Sequence, residues 1–189
     1  MASANIGLDR ARTRAVADSV EREAAFEAAF IEHYGLVYGL LFRLLGDRGT
    51  AEDIAVEAFW RLWRQAPGQA DNQAGWLVRV ALRLGYNALR ASSRRRRYEM
   101  AAGREALDFN APPDPAQAAE RADEGRRVRA VLAVMRERDA GLLLMRHSGR
   151  SYKEIAEALQ VAPGSVGTLL ARAEAEFERR YLQGQTGGS

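Results

Sequence analysis

Apolar residues in this chain recur at steps of three and four, and no stretch of useful length alternates at steps of two. A spacing near 3.6 puts side chains on one face of an α-helix, so the expected fold class is all-α. Phe26, Phe30, Tyr34, Val37, Leu41 and Leu44 mark one face of a helix over residues 24–45. Gly46-Asp47-Arg48-Gly49 reads as a turn. Thr50 is the predicted N-cap, with Asp53 three residues on, of a second helix to about Gln65 whose Ile54, Ala58, Phe59, Leu62 and Trp63 face inward. After a polar loop over 66–74, a third helix starts near Gln73 and buries Leu77, Ala81, Leu84 and Ala88. Residues 98–116 lack periodicity, and Ala111-Pro112-Pro113-Asp114-Pro115 blocks regular structure. Helical pattern returns at Ala116, with Val128, Val131, Leu132 and Met135 as one stripe and Leu142 to Met145 as another. The expected organisation is an N-terminal extension over 1–22, two small helical domains over 23–97 and 117–182 joined by a flexible linker over 98–116, and a polar tail over 183–189.

Charge is distributed unevenly. The net charge is only +3, and Lys153 is the sole lysine among 28 basic residues. Arg90 and Arg94 to Arg97 put five arginines into eight residues, whereas residues 98–125 carry seven acids against two arginines. A basic block followed by an acidic, proline-bearing stretch is an asymmetry that the function has to explain. The chain has no cysteine and only His33 and His147, which leaves no disulfide, no thiolate metal site and no expected cofactor. No run of eighteen apolar residues and no secretory h-region is found, so the expectation is a cytoplasmic chain without membrane insertion.

Two segments carry recognition chemistry. Residues 152–171 have the pattern of a helix-turn-helix. Ala156 is the small residue where two helices cross, and Ile155, Leu159, Val161, Val166 and Leu170 are the apolar contacts. Ser151 and Glu154 form a capping box that opens its first helix, which runs to Gln160. Ala162-Pro163-Gly164 is the turn, and Ser165 caps a last helix to about Leu182. The groove-facing set is Ser165, Gly167, Thr168, Leu169 and Arg172, with Arg150 and Lys153 available for phosphates. Glu174, Glu176 and Glu178 offset Arg172, Arg179 and Arg180. On the third helix Arg79, Arg83, Tyr86, Asn87, Arg90 and Arg94 recur at steps of three and four. Such a basic face could hold phosphates, read a base edge through Asn87 and stack a base on Tyr86. Trp76, which opens that helix, is assigned to the core. The second helix begins acidic with Glu52, Asp53 and Glu57, which suits the positive end of a helix dipole and also a docking surface for a basic partner. No histidine or glycine-rich loop lies near these acids, so an enzyme is not expected.

The runs GDRGTAEDIAVEAFWRLW and WLVRVALRLGYNALRASSRRRR resemble region two of the extracytoplasmic-function sigma factors of bacterial RNA polymerase. The run from Arg127 to Phe177 resembles their region four. The resemblance implies a factor that performs no chemistry, binds core RNA polymerase and directs it to promoter DNA. Glu52, Asp53, Ile54, Glu57 and Phe59 fall on the motif that binds the β′ clamp helices, with the β flap as a further contact. Arg79, Arg83, Asn87 and Arg90 fall on the helix that engages the minus-ten element. Ser165 to Arg172 fall on the helix that reads the minus-thirty-five element. The acidic linker of such proteins threads toward the polymerase active centre, and an anti-sigma protein is a common regulator. Val56, Arg83, Asn87, Gln160, Gly167-Thr168-Leu169 and Glu174 depart from the usual family residues. The alternatives are a stand-alone helix-turn-helix regulator and a degenerate sigma-like interaction module.

Overall fold

The computed structural model describes residues 3–65, 72–101 and 115–186, with side chains placed over 16–65, 72–98 and 120–184. Most of the 66–74 loop and most of the linker therefore lie outside the described residues. The helices are α1 (Ser3–Leu45), α2 (Arg48–Arg64), α3 (Gln73–Ala101), α4 (Pro115–Val134), α5 (Glu137–His147), α6 (Tyr152–Leu159) and α7 (Val166–Thr186), and no strand occurs among the described residues.

The helix ends follow local chemistry. Gly46 closes α1 at φ +73°, a left-handed conformation that costs glycine little, and its N–H bonds Phe42 O at 2.8 Å. One residue later Asp47 opens α2: its carboxylate accepts the Thr50 N–H at 2.8 Å. Asp47 and not Thr50 is thus the N-cap, because it is the residue that keeps an extended backbone while its side chain reaches back. Hydrogen bonding from Thr50 holds the Asp47 carboxyl below its ordinary pKa. Helix α1 runs on as one element of 43 residues, well before the expected start at residue 24. Helix α3 continues through the arginine run to Ala101 and so takes up the first residues assigned to the linker.

Helices α1, α2 and α3 close around Phe59, which is 1% exposed. Phe26, Phe30 and Tyr34 from α1 surround it, the Phe30 ring centroid at 4.8 Å. Residues 16–45 of α1 are long and apolar enough, by length and composition, to cross a membrane. Here their Val37, Leu40, Leu41 and Leu44 are buried core residues. Where α1 meets α3, Gly85 lets the two backbones approach: a Cβ there would lie 2.7 Å from Leu41 Cδ2 and 2.9 Å from Leu44 Cδ2.

Helices α4 to α7 form the second cluster, with Leu132, Met135, Leu142, Met145, Ile155 and Leu170 buried. The two clusters do not stand apart. A second stripe on α3, Val78, Leu82, Tyr86 and Leu89, joins Leu40 and Leu44 of α1 and the buried residues of α4 to α7 in one continuous core. Helix α3 is therefore covered on two sides: Leu77 and Ala81 face α1 and α2, and Val78 to Leu89 face the second half.

Overfilling a packed helix crossing costs about 1–3 kcal/mol. Gly85→Val is accordingly expected to lower the thermal midpoint and the denaturant midpoint, with the helical content retained in circular dichroism.

Candidate polymerase and nucleic-acid interfaces

The acidic end of α2 presents Glu52, Asp53 and Glu57 to solvent, Glu57 accepting from Arg61 Nε at 2.8 Å. Ile54 is half-buried against the core and keeps part of its side chain at the surface, whereas Phe59 lies at the core's centre and offers no surface to a partner. The Phe59 side chain is needed to bury the inner face of an amphipathic helix, and this corrects the assignment of Phe59 to a contact surface. The outer face instead carries Val56 at 56% and Trp60 at 53% exposure, one and two turns along from Glu52 and Asp53. Steps of 53, 56, 57 and 60 place an acid pair beside two large apolar groups. That pattern is visible in the sequence, but the inward face of α2 alone does not bring it out.

On α3, Arg83, Asn87, Arg90 and Arg94 are exposed. Arg79, Tyr86 and one side of Arg90 contact the second half of the chain. Arg79 is half-buried, and its Nη1 donates to Ala158 O at 2.9 Å and Glu157 O at 3.4 Å, in the last turn of α6. Arg90 donates through Nε to Ala133 O at 3.4 Å and through Nη2 to Met135 O at 3.3 Å, where α4 ends. Tyr86 is fully buried, against the expectation of an exposed ring. Its hydroxyl donates to Leu132 O, burial pushes its pKa up, and the Arg90 guanidinium lies 5.1 Å over its ring. A phenol has a large apolar body, and the neighbouring Leu82 and Leu89 supply an apolar setting that draws it inward. Trp76 is half-buried against the first core, as assigned.

The helix-turn-helix comprises α6, a 3-10 turn over Pro163–Ser165, and α7. The capping box is complete: Ser151 Oγ accepts the Glu154 N–H, and Glu154 accepts the Ser151 N–H at 2.8 Å. Gln160 ends α6 at φ 54°, the left-handed position that glycine usually fills. Ser165 belongs to the 3-10 turn, whose cap is Ala162, so the expected Ser165 cap is replaced by a tighter turn. Ala156, Ile155, Val166 and Leu170 are buried, as the crossing requires. Lys153, Ser165, Thr168 and Arg172 are exposed. Leu169 is half-buried and packs on the core instead of facing outward, because the apolar face of α7 includes it. Glu176 takes up both Arg179 and Arg180, so these two cations have an intramolecular partner.

A helix-turn-helix, a basic helix and a helix with an acidic outer face thus stand together in one chain, and its two halves match the two regions of a sigma-type protein. Residues 29–95 match the family model Sigma-70 region 2, and residues 125–177 match Sigma-70, region 4. Probable ECF RNA polymerase sigma factor SigI of Mycobacterium tuberculosis is 37% identical over 59% of this chain and 38% of that protein, so the chain matches well under half of that relative's length. ECF RNA polymerase sigma factor SigE of Mycolicibacterium smegmatis is 33% identical over 80% of this chain and 59% of its own length. For SigK of Mycobacterium tuberculosis the figures are 30%, 70% and 75%. The chain belongs to the extracytoplasmic-function family of RNA polymerase sigma factors. Among solved structures, the sigma factor RpoE in complex with the anti-sigma factor NepR, from Bartonella quintana, is similar at TM-score 0.47 and 15% identity over 82% of this chain and 96% of that one, too loose a likeness to argue from.

The capping box yields a direct test. The Ser151 backbone bond, with the Ser151 hydroxyl and Arg150, lowers the Glu154 pKa from 4.5 to about 2. A depressed carboxyl stabilises above its unfolded value, and that contribution is lost as pH falls from there toward 2. Ser151→Ala is expected to cost about 0.5–2 kcal/mol. It should also let Glu154 titrate closer to an ordinary glutamate in a carbon-detected NMR titration.

Proposed function

We propose that this chain is a transcription-initiation factor that binds core RNA polymerase and directs it to promoter DNA. The observation that carries the reading is the placement of three exposed surfaces on one frame. The α2 face with Asp53, Val56, Glu57 and Trp60 suits a helix pair of the polymerase that is basic and apolar in alternation. The open part of α3, with Arg83, Asn87, Arg90 and Arg94, suits the minus-ten strand, and the helix-turn-helix, with Lys153 on α6, Ser165 in the turn and Thr168 and Arg172 on α7, suits an upstream duplex. Residues 23–97 act as the first recognition domain, 117–182 as the second, and 98–116 as the connection. The chain contributes binding and leaves the chemistry to the polymerase, in the cytoplasm where that enzyme works.

The rival reading is an interaction module that binds polymerase but reads no upstream element. It is favoured by one observation, the pairing of Glu176 with Arg179 and Arg180, which leaves α7 with little free positive charge. Run-off transcription with purified core enzyme separates the two. Asp53→Lys with Glu57→Lys is expected to weaken core binding by about tenfold or more, which is 1.4 kcal/mol, with the circular dichroism of the fold unchanged. Undiminished co-purification would remove α2 from the polymerase interface. A promoter-directed transcript that ignores substitution of Thr168 and Arg172 would favour the rival.

A further inference from the structure

We infer that the cleft between α3 and α4 is a binding site for a small anion with a di- or triphosphate group, held by Arg96 and Arg97 from one side and Arg126 and Arg129 from the other. None of these four arginines belongs to the surfaces assigned to polymerase or promoter, and the inference does not rest on those roles.

The helical register puts these cations face to face. On α3 the buried stripe through Val78, Leu82 and Leu89 continues at the same spacing into Ser93, Arg96 and Arg97. On α4, Arg126, Ala130 and Ala133 follow one another at steps of four and three, with Arg129 beside them. Packed helices ordinarily meet through apolar groups or opposite charges. Here both facing sides turn cationic, and they do so beside serine and alanine, which leave space between the helices. The space is a cleft of about 540 Å³, a volume suited to a small ligand.

The positive charge of the cleft is not cancelled within it. Among the described residues, no carboxylate pairs with Arg96 or Arg97. Arg126 meets Asp123 Oδ1 at 3.2 Å, but both side chains of that pair are open to water, so it is weak and exchangeable. Asp47 is the only carboxylate among the described residues that line the cleft, and it already accepts the Thr50 N–H at 2.8 Å. An excess of one sign in a concave space concentrates the field and draws in a counter-ion. Guanidinium forks take phosphate oxygens through paired N–H bonds, and several forks together call for several charges on adjoining groups, as in a di- or triphosphate. A duplex spreads its phosphates along a rod, whereas α3, α4 and the end of α1 wall this space and suit a compact ligand.

Isothermal titration calorimetry of the full-length chain with inorganic triphosphate, in magnesium-free buffer, tests the site. Saturable binding of one triphosphate per chain is expected. Arg96→Ala and Arg126→Ala should each weaken it about tenfold, the effect of losing a charge-assisted hydrogen bond. Arg95 is exposed on the same turn and does not line the cleft. Arg95→Ala removes the same charge and should leave the affinity within about twofold, because a solvated cation is screened. Ser93→Asp keeps every arginine and sets a carboxylate between them, so it too should weaken binding about tenfold. Circular dichroism checks that each variant keeps its helices. The absence of saturable binding, or equal losses from Arg95→Ala and Arg96→Ala, overturns the inference, the latter by showing attraction to net charge alone. A nucleoside triphosphate titrated alongside distinguishes the sources: tighter binding than inorganic triphosphate supports a nucleotide site, and equal binding supports a site for the phosphate chain itself. A single-stranded oligonucleotide that depends on Arg96 and Arg126, while triphosphate does not bind, overturns the inference in favour of a nucleic-acid backbone.

Discussion

Every α-helix ends with carbonyls that have no partner within the helix, and in this chain arginines from the opposite half supply several of those partners. Arg79 lies on the end of α6, and Arg90 with Tyr86 on the end of α4. Arg43 donates to a side-chain hydroxyl instead of a carbonyl, the Oγ of Ser148, the residue that caps α5. The Arg129 guanidinium of α4 lies where a Cβ on Gly46 would sit, at the end of α1. Cations at the negative ends of helices are favourable, and the fork of a guanidinium can reach two carbonyls at once. The position of the second half on α3 depends on this set of hydrogen bonds together with the apolar stripe beneath them.

The arrangement explains why an arginine-rich helix can be the centre of a fold. Arg79 and Arg90 need no desolvated carboxylate, because helix ends provide partial negative charge at fixed positions, and the arginines from Arg94 to Arg97 stay in water. Among the described residues, the acidic face of α2 pairs only with Arg61. That face is exposed, whereas α3 is engaged along one side. The two surfaces thus differ in availability, although both lie on the same three-helix cluster.

Much of this is legible in the sequence because it is local. Steps of three and four locate the helices, the Ser151–Glu154 spacing gives the capping box, and Ala156 with its apolar neighbours gives the helix crossing. What escapes a reading of the sequence is decided by a neighbour elsewhere. Thr50 has the side chain of a cap, yet Asp47, three residues earlier, takes its amide. Tyr86 stands among arginines as a stacking ring would, yet Val78, Leu82 and Leu89 form a second apolar stripe on α3 that carries it inward. A helix apolar on two sides announces a second neighbour, and the first stripe, Leu77, Ala81, Leu84 and Ala88, accounts for only one of them. Phe59 shares the acidic motif by position while its side chain belongs to the core. Leu169 is withdrawn from the outer face of α7 for the same reason.

The central claim is that guanidinium groups of the first half hold the helix ends of the second. Amide hydrogen exchange on the free full-length chain tests it most directly, comparing the parent with Arg79→Ala and Arg90→Ala. The expected result is faster exchange confined to the last turns of α6 and α4, respectively, and to the facing stretch of α3, with α2 unchanged. Exchange in those turns indistinguishable from the parent, or accelerated equally throughout the chain, would contradict the account.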